Sequence, residues 1–210
     1  MDIFRACAAA GLLLIAAGCA SGKAAVREGT PPPVLTASDG SSLTVAELVK
    51  GRDATVLVFW SSSCPCVRRY QDRVDGLLDA YPADRVRVVG ISSNAGESYE
   101  KVVETARRRG VRIPIYRDES GAVASTLGAR STPTVVVLDP DGKVRFFGWF
   151  DNEYLPGDPG RKPWLDQALA GILAGRNDFS ASTKTFGCII TRSLFGSPEP
   201  TQQCTHCASH

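Results

Sequence analysis

Three things are scarce in this chain of 210 residues: an excess of charge, a long apolar run and histidine. The 24 basic and 22 acidic residues nearly cancel, which gives no electrostatic case for a nucleic-acid partner. The most apolar stretch, near the N-terminus, is shorter than the roughly 20 residues that a helix needs to span a bilayer. Histidine does not occur before His206, so the body of the chain offers no imidazole ligand.

The N-terminus has the pattern of a signal peptide. Arg5 precedes an apolar run over residues 6–17, and small residues lie directly before Cys19. This ending resembles a bacterial lipobox, which implies cleavage before Cys19 and attachment of lipid to that residue; ordinary secretion with a nearby cleavage site is the alternative. We expect residues 1–18 to be a lipoprotein signal peptide and residues 19–32 to form a tether.

The chain is organised around a strand-like run that ends in two cysteines. Residues 56–59 are β-branched, aliphatic or aromatic, and from Val67 the apolar residues follow helical spacing. Cys64 and Cys66 therefore lie where a buried strand gives way to a helix. Pro65 fits the first helical position, where its missing N–H costs nothing. Cys64 is thus the expected cap residue of this helix.

Positive charge surrounds Cys64 in this arrangement. The free N–H groups of the first helical turn lie near the cap residue, and Arg68 and Arg69 follow within the next turns. Both favour the thiolate, which is the nucleophile in disulfide exchange and in attack on peroxide. We therefore expect Cys64 to be reactive.

The spacing of the two cysteines leaves the partner of Cys64 open. Residues two apart on a helix do not face each other, so a Cys64–Cys66 disulfide needs an unwound first turn and would be strained and easily reduced. The alternative is pairing with a distant cysteine. After loss of Cys7 with the signal and lipidation of Cys19, an odd number of cysteines remains, which leaves at least one thiol unpaired within the chain unless a metal holds some of them.

Strand-like and helical segments alternate along the rest of the chain. The pattern predicts a hairpin and short helix over 34–48, strands at 86–91, 113–116 and 144–149, a valine strand directly after Thr132-Pro133, and helices at 97–109, 122–127 and 163–174. This order predicts one α/β domain over residues 33–176: a mixed central sheet with helices on both faces and an N-terminal hairpin extension. Residues 177–210 form a cysteine-containing C-terminal extension. The arginines at 107–109 are interpreted as a solvated helix end.

The order of elements, the Phe59-Trp60 pair before Cys64, and Thr132-Pro133 before a valine strand resemble the thioredoxin fold. More closely, the chain resembles redoxins of the AhpC/TSA, peroxiredoxin-like superfamily, and within it exported lipoprotein members with a Cys-Pro-Cys site. The stretches that carry this resemblance are 63–66, 91–94, 128–133, 148–151 and 187–190. The proline that matches Pro133 is cis in that fold and faces the catalytic cysteine, so the resemblance implies that Pro133 shapes the substrate groove.

Departures from these relatives bear on the mechanism. Thioredoxins carry a buried acid just before the phenylalanine, where this chain has Val58, so their proton acceptor is missing. Peroxiredoxins place a proline and a Thr or Ser ahead of the reactive cysteine and bring in an arginine from a later strand. Ser61 fits the hydroxyl position, whereas Leu57 and Pro133 occupy the positions of the proline and the arginine. Arg68 or Arg130 would have to replace that arginine.

The cysteines beyond the domain are candidates for a second redox residue. Cys188 occupies a Gly-Cys site that recurs in the similar family, and it could fold back to resolve a sulfenic acid or disulfide at Cys64. A static disulfide or a free thiol is the alternative. The tail, which lies outside the resemblance, has weak metal-ligand candidates in Cys204, His206, Cys207 and His210. A simple disulfide or a thiol relay there is favoured over a zinc or copper site.

The sequence as a whole predicts a membrane-anchored thiol–disulfide oxidoreductase. Cys64 is the nucleophile, Cys66 or Cys188 resolves the mixed disulfide, and the site needs no bound cofactor. The expected partners are protein thiols and disulfides, or peroxides, in the cell envelope, together with a membrane or soluble reductant. The expected location is lipid-anchored and periplasm-facing, at the outer membrane if the cell is Gram-negative, because no inner-membrane retention aspartate follows Cys19.

Three other functions remain open at this point. A thiol peroxidase would use the same site, with Ser61 as the hydroxyl residue. A copper-binding or copper-delivery protein of Sco type would need the tail to supply the missing histidine. A non-catalytic binding lipoprotein would not depend on Cys64.

Overall fold

The computed structural model of the protein describes residues 32–152, 157 and 159–192. The expected signal peptide, most of the tether with the lipidation site Cys19, and the tail from 193 to 210 with its metal-ligand candidates lie outside these residues. Within the described ranges, no helix has both the length and the apolar character to cross a membrane.

Nine strands and five helices are formed by these residues. The strands are β1 (Val34–Thr36), β2 (Ser42–Thr44), β3 (Ala54–Phe59), β4 (Val86–Ser92), β5 (Ile115–Arg117), β6 (Ser131–Thr132), β7 (Val135–Leu138), β8 (Val144–Gly148) and β9 (Cys188–Ile189). The helices are α1 (Val45–Leu48), α2 (Pro65–Ala80), α3 (Tyr99–Arg108), α4 (Ala122–Leu127) and α5 (Trp164–Leu173).

Seven of the strands form one mixed sheet in the order β2-β1-β5-β4-β3-β7-β8. Strands β3, β4 and β5 run parallel, and β7 lies antiparallel to β3. Parallel neighbours require crossover connections, which α2 and α3 supply. The first two strands pair as the predicted hairpin, and α1 follows it directly.

The central strand β3 is buried on both faces because its side chains alternate between two apolar clusters. Val56 and Val58 pack in a cluster with residues of α2 and α5. Leu57 and Phe59 pack in the second cluster, with residues of α1 and α4. Helices therefore cover both faces of the sheet, and the predicted α/β architecture is confirmed.

The predicted valine strand after Pro133 is β7, and it is separate from β6 because Pro133 has no N–H to pair and the Thr134 hydroxyl donates to the Ser131 carbonyl (2.7 Å). The strand predicted at 113–116 begins only at Ile115. The expected helix 97–109 begins only at Tyr99, because the Ser98 side chain caps its first turn by accepting from the Lys101 N–H.

The C-terminal segment, residues 177–192, returns to the domain. The Thr183 N–H donates to the Phe147 carbonyl (2.9 Å), and β9 pairs antiparallel with β6. This pairing places Cys188 opposite Thr132. The sequence did not indicate β9, because two residues are too few to show a strand periodicity.

Candidate active site

Cys64 lies at the junction of strand and helix that the sequence predicted. It is the N-cap residue of α2, in an extended conformation, and Pro65 begins the helix. Its side chain is buried with Trp60, Val67 and Val102 in a third apolar cluster, which is separate from the two that cover the faces of the sheet. The strand-to-helix turn therefore aims the cysteine into the molecule.

Three sulfur atoms meet at this point. The Sγ atoms of Cys64, Cys66 and Cys188 all lie within 4.8 Å of one another, and the three residues are 1%, 0% and 2% exposed. Neither Cys64 nor Cys188 is in a disulfide. Cys66 is disulfide-bonded, and neither Cys64 nor Cys188 is its partner. Both candidate resolving cysteines are thus close to Cys64, but only Cys188 is a thiol.

The environment of Cys64 lowers its pKa to about 6. The main cause is a hydrogen bond from the Cys188 thiol, and it outweighs burial, which acts in the opposite direction. The N–H groups of Val67, in the first turn of α2, and of Cys188 add to the effect. Of the two causes expected from the sequence, the N–H groups of the first turn contribute through Val67, whereas Arg68 and Arg69 are not among the main causes of the shift.

The peptide carbonyl before Pro133 also contacts Cys64. The Thr132 carbonyl accepts a hydrogen bond from Cys64 Sγ at 3.1 Å, and the Thr132–Pro133 peptide bond is cis, as the resemblance implied. Only the protonated form of Cys64 can donate this bond, so the bond is lost when the thiolate forms. The part played by Pro133 in shaping a groove stays a prediction.

A buried carboxylate orders the loop that leads to Cys64. Glu97 is 3% exposed and accepts bonds from the hydroxyls of Ser61 (2.7 Å) and Ser63 (2.6 Å) and from the N–H groups of Ser62 and Ser63. Burial would raise the pKa of Glu97, but these bonds together lower it below its usual value. The carboxylate therefore stays ionised and fixes all three serines.

Ser61 is consequently engaged with Glu97. A hydroxyl has a single proton to donate, and Ser61 donates it to Glu97 Oε1. It is not free to donate to Cys64 or to a peroxide, which weakens the case for a peroxidase. The sequence analysis missed Glu97, although three consecutive serines before a buried cysteine were a signal that an acceptor must lie nearby.

The contacts of Arg109 differ from those predicted for the arginine run at the end of α3. The arginine run at 107–109 was taken as a solvated helix end, and Arg107 does form an exposed pair with Glu104. Arg109, however, donates from Nη2 to the Ser62 carbonyl at 2.9 Å. Glu97, just before α3, and Arg109, at its end, thus hold the loop before Cys64.

The position of Cys188 depends on the close approach of Gly187 to the backbone of β6. Gly187 has a φ of +123°, and a Cβ there would lie 2.0 Å from the Thr132 carbonyl oxygen. Only glycine allows this contact. Further along, the Ile190 N–H donates to the Arg130 carbonyl (2.9 Å), and the Thr191 N–H donates to Asn94 Oδ1 (2.9 Å). Separate stretches of the family resemblance, 91–94, 128–133 and 187–190, therefore meet around the cysteines.

The same sulfur atoms are the single group of potential metal ligands among the residues described. Thiolates of this kind suit copper(I) or zinc. Because Cys66 is in a disulfide, only Cys64 and Cys188 of this group could bind a metal as thiolates in the structure described. The tail candidates for metal binding lie outside the described ranges.

Fold and site together define a class, the thioredoxin-like thiol–disulfide oxidoreductases. The AhpC/TSA family model matches residues 26–147, more than half of the chain. The protein belongs to the AhpC/TSA family.

Named relatives agree with this class. Sporulation thiol-disulfide oxidoreductase A of Bacillus subtilis is 28% identical over 91 residues, 43% of this chain and 55% of that protein. Thiol-disulfide oxidoreductase ResA of the same organism is 28% identical over 127 residues, 59% of this chain and 68% of that protein. The chain thus spans about half to two thirds of the length of these relatives.

A solved structure extends the likeness over more of the chain. An uncharacterized conserved protein from Geobacillus kaustophilus is 30% identical, covers 79% of this chain and 90% of its own, and superposes with a TM-score of 0.69. Further structures below 25% identity share the thioredoxin-like fold at a TM-score of 0.54.

Proposed function

We propose that Cys64 is the nucleophile and Cys188 the resolving cysteine of this oxidoreductase, acting on protein thiols and disulfides. The observation that carries the proposal is the pair of buried cysteines, neither of them in a disulfide, whose Sγ atoms lie within 4.8 Å of each other, with the pKa of Cys64 at about 6. At pH 7 about 90% of such a group is thiolate, compared with a few per cent of an ordinary cysteine.

The exchange proceeds in two steps, formation of a mixed disulfide and its resolution. The Cys64 thiolate attacks one sulfur of a substrate disulfide, which forms a mixed disulfide and releases the other substrate sulfur as a thiolate. The Cys188 thiolate then attacks the Cys64 sulfur, which forms the Cys64–Cys188 disulfide and releases the second substrate thiol. The substrate gains two electrons and the cysteine pair loses them; the reverse sequence oxidises a dithiol.

Two observations favour Cys188 over Cys66 as the resolving residue. Cys66 is already disulfide-bonded, whereas Cys188 is a thiol. Cys66 also lies within the helix that Cys64 caps, where residues two apart point in different directions, whereas Cys188 comes from a strand across the site. Cys66 remains close enough to exchange with either sulfur after its own disulfide is reduced.

Disulfide mapping tests this assignment. The reduced full-length protein is oxidised with one equivalent of a small neutral disulfide and analysed by non-reducing peptide mass spectrometry. We expect a Cys64–Cys188 link in the wild type and in Cys66→Ser, and a trapped mixed disulfide on Cys64 in Cys188→Ser. A Cys64–Cys66 link would transfer the resolving role to Cys66, and the absence of any disulfide at Cys64 would refute the redox function.

We further propose that the protein acts in the bacterial cell envelope, held by a lipid on Cys19. The support is the signal-like run at 6–17 that ends in small residues before this cysteine. Metabolic labelling with a radioactive fatty acid should mark the wild type and not Cys19→Ala. Equal labelling of both forms would contradict the anchor.

A further inference from the structure

Several exposed arginines of the described surface are paired with carboxylates. Examples are Arg85 with Asp53 (2.7 Å) and Arg176 with Asp178 (2.6 Å). Such pairing leaves little net positive charge in these places. The neighbourhood of the nucleophile is different.

Arg68, Arg108 and Arg109 lie beside the active-site loop, and none of them forms an ion pair with a described carboxylate within 4.0 Å. Arg68 is exposed one turn after Cys64, and its N–H bonds the Cys64 carbonyl. Arg109 bonds the Ser62 carbonyl, and Arg108 precedes it in the last turn of α3. We call these three residues the active-site arginines.

The active-site arginines are close enough to repel one another. Partial burial and then the charges of Arg68 and Arg108 lower the pKa of Arg109, while Glu97 and Cys64 act in the opposite direction. The Glu97 carboxylate is already engaged by the serine loop, so it compensates this charge only in part. Negative charge from outside the chain would therefore be attracted to this place.

We propose that the active-site arginines are the docking surface for an acidic redox partner, a protein with carboxylates beside its reactive cysteines. This inference rests on the proposed function and names the partner class for the same site. A protein surface is favoured over a small anion because apolar side chains also flank Cys188: Phe186 and Ile189 are 44% and 50% exposed. Charge beside an exposed apolar contact is the combination that protein interfaces use.

The test compares substrates that differ only in charge. Three peptides of equal length carry the same internal disulfide, flanked by glutamate, glutamine or lysine. Each is mixed with the reduced full-length protein, and formation of the oxidised cysteine pair is followed by rapid quenching and mass spectrometry. At low salt we expect the acidic peptide to react about tenfold faster than the neutral one, with the ratio falling toward one at about 0.5 M salt.

A matched pair of variants separates local charge from net charge. Arg68→Glu with Arg108→Glu reverses two active-site arginines and leaves the Arg109 bond to the loop in place. Lys50→Glu with Lys143→Glu changes the net charge equally at the opposite end of the sheet, since these lysines lie before β3 and in the β7–β8 turn. The arginine variant should lose the preference for the acidic peptide, and the lysine variant should keep it.

The outcomes distinguish this inference from the function on which it rests. If the wild type oxidises with none of the peptides, the neutral one included, the proposed function fails. If it reacts with all three at equal rates, or if both double variants reduce the preference equally, the docking surface is refuted. A preference for anionic glutathione disulfide without one for the acidic peptide would also refute a protein partner.

Discussion

The contact of Gly187 with β6 leads to a quantitative prediction for Gly187→Ala. A Cβ on this residue would lie 2.0 Å from the Thr132 oxygen and 2.7 Å from the Thr132 carbonyl carbon. Both are backbone atoms and cannot rotate away, so β9 must move by about 1 Å to restore ordinary contact. The left-handed φ of +123° adds a conformational cost of about 1–3 kcal/mol for alanine.

This movement would separate Cys188 from Cys64. The hydrogen bond from Cys188 is the main reason for the low pKa of Cys64, so this pKa should rise from about 6 toward its usual value near 9. A misplacement of about 1 Å between reacting atoms can cost on the order of 100-fold in rate. We therefore expect Cys64–Cys188 disulfide formation to slow by about 10- to 100-fold.

The assay measures both quantities in the same samples. The pKa of Cys64 is taken from the pH dependence of its alkylation by iodoacetamide, and the rate of disulfide formation from timed quenching. Gly175→Ala is the matched control, because Gly175 also has a left-handed φ (+68°) but no atom lies within 4 Å of its Cβ position. If Gly187→Ala leaves the pKa and the rate within twofold of the control, the argument that Gly187 positions Cys188 is refuted.

Three other predictions concern the groups around Cys64. Cys188→Ala should raise the pKa of Cys64, because it removes the side-chain donor that is the main cause of the low value. Difference absorbance of the thiolate at about 240 nm measures this pKa, and an unchanged value would remove Cys188 as its cause. The free energy of unfolding of the reduced wild type should rise with pH between about 6 and about 8.5, because in this range the unfolded chain still holds a proton that folded Cys64 has lost. Urea unfolding of Cys64→Ala should not show this rise. Glu97→Gln should lower the free energy of unfolding by about 1–3 kcal/mol, because Glu97 accepts hydrogen bonds from buried donors of the serine loop. Glu104→Gln should lower it by less than about 0.5 kcal/mol, because Glu104 forms only an exposed ion pair. Equal losses in the two variants would contradict the conclusion that Glu97 holds this loop.

Local signals were sufficient to predict most of the fold. The apolar run 56–59, which lies within β3, and the alternation of strands and helices predicted the sheet and its helical cover, and Pro65 predicted the start of α2. Such features depend on residues close together in the chain, which a periodicity can reveal. The cis bond before Pro133 was predicted through the resemblance alone.

The site was predicted only in part, because its remaining members come from distant parts of the chain. Glu97 reaches the serine loop across 34 or more residues, and Arg109 reaches Ser62 across 47. No local pattern marks such contacts. The arginine run looked solvated because charge near a helix end usually is, and only the fold turns Arg109 toward the loop.

The spacing of Cys64 and Cys66 gives a reason for this long-range design. Because one cysteine caps α2 and the other lies in its first turn, helix geometry opposes a direct disulfide between them. A resolving thiol must then arrive from elsewhere, and the antiparallel pairing of β9 with β6 brings Cys188 to the nucleophile beside Thr132. The redox pair is therefore joined by strand pairing, so whatever shifts β9 relative to β6 changes the pKa of Cys64 and the rate of resolution together. A variant that altered one of these quantities without the other would show that they have separate structural origins.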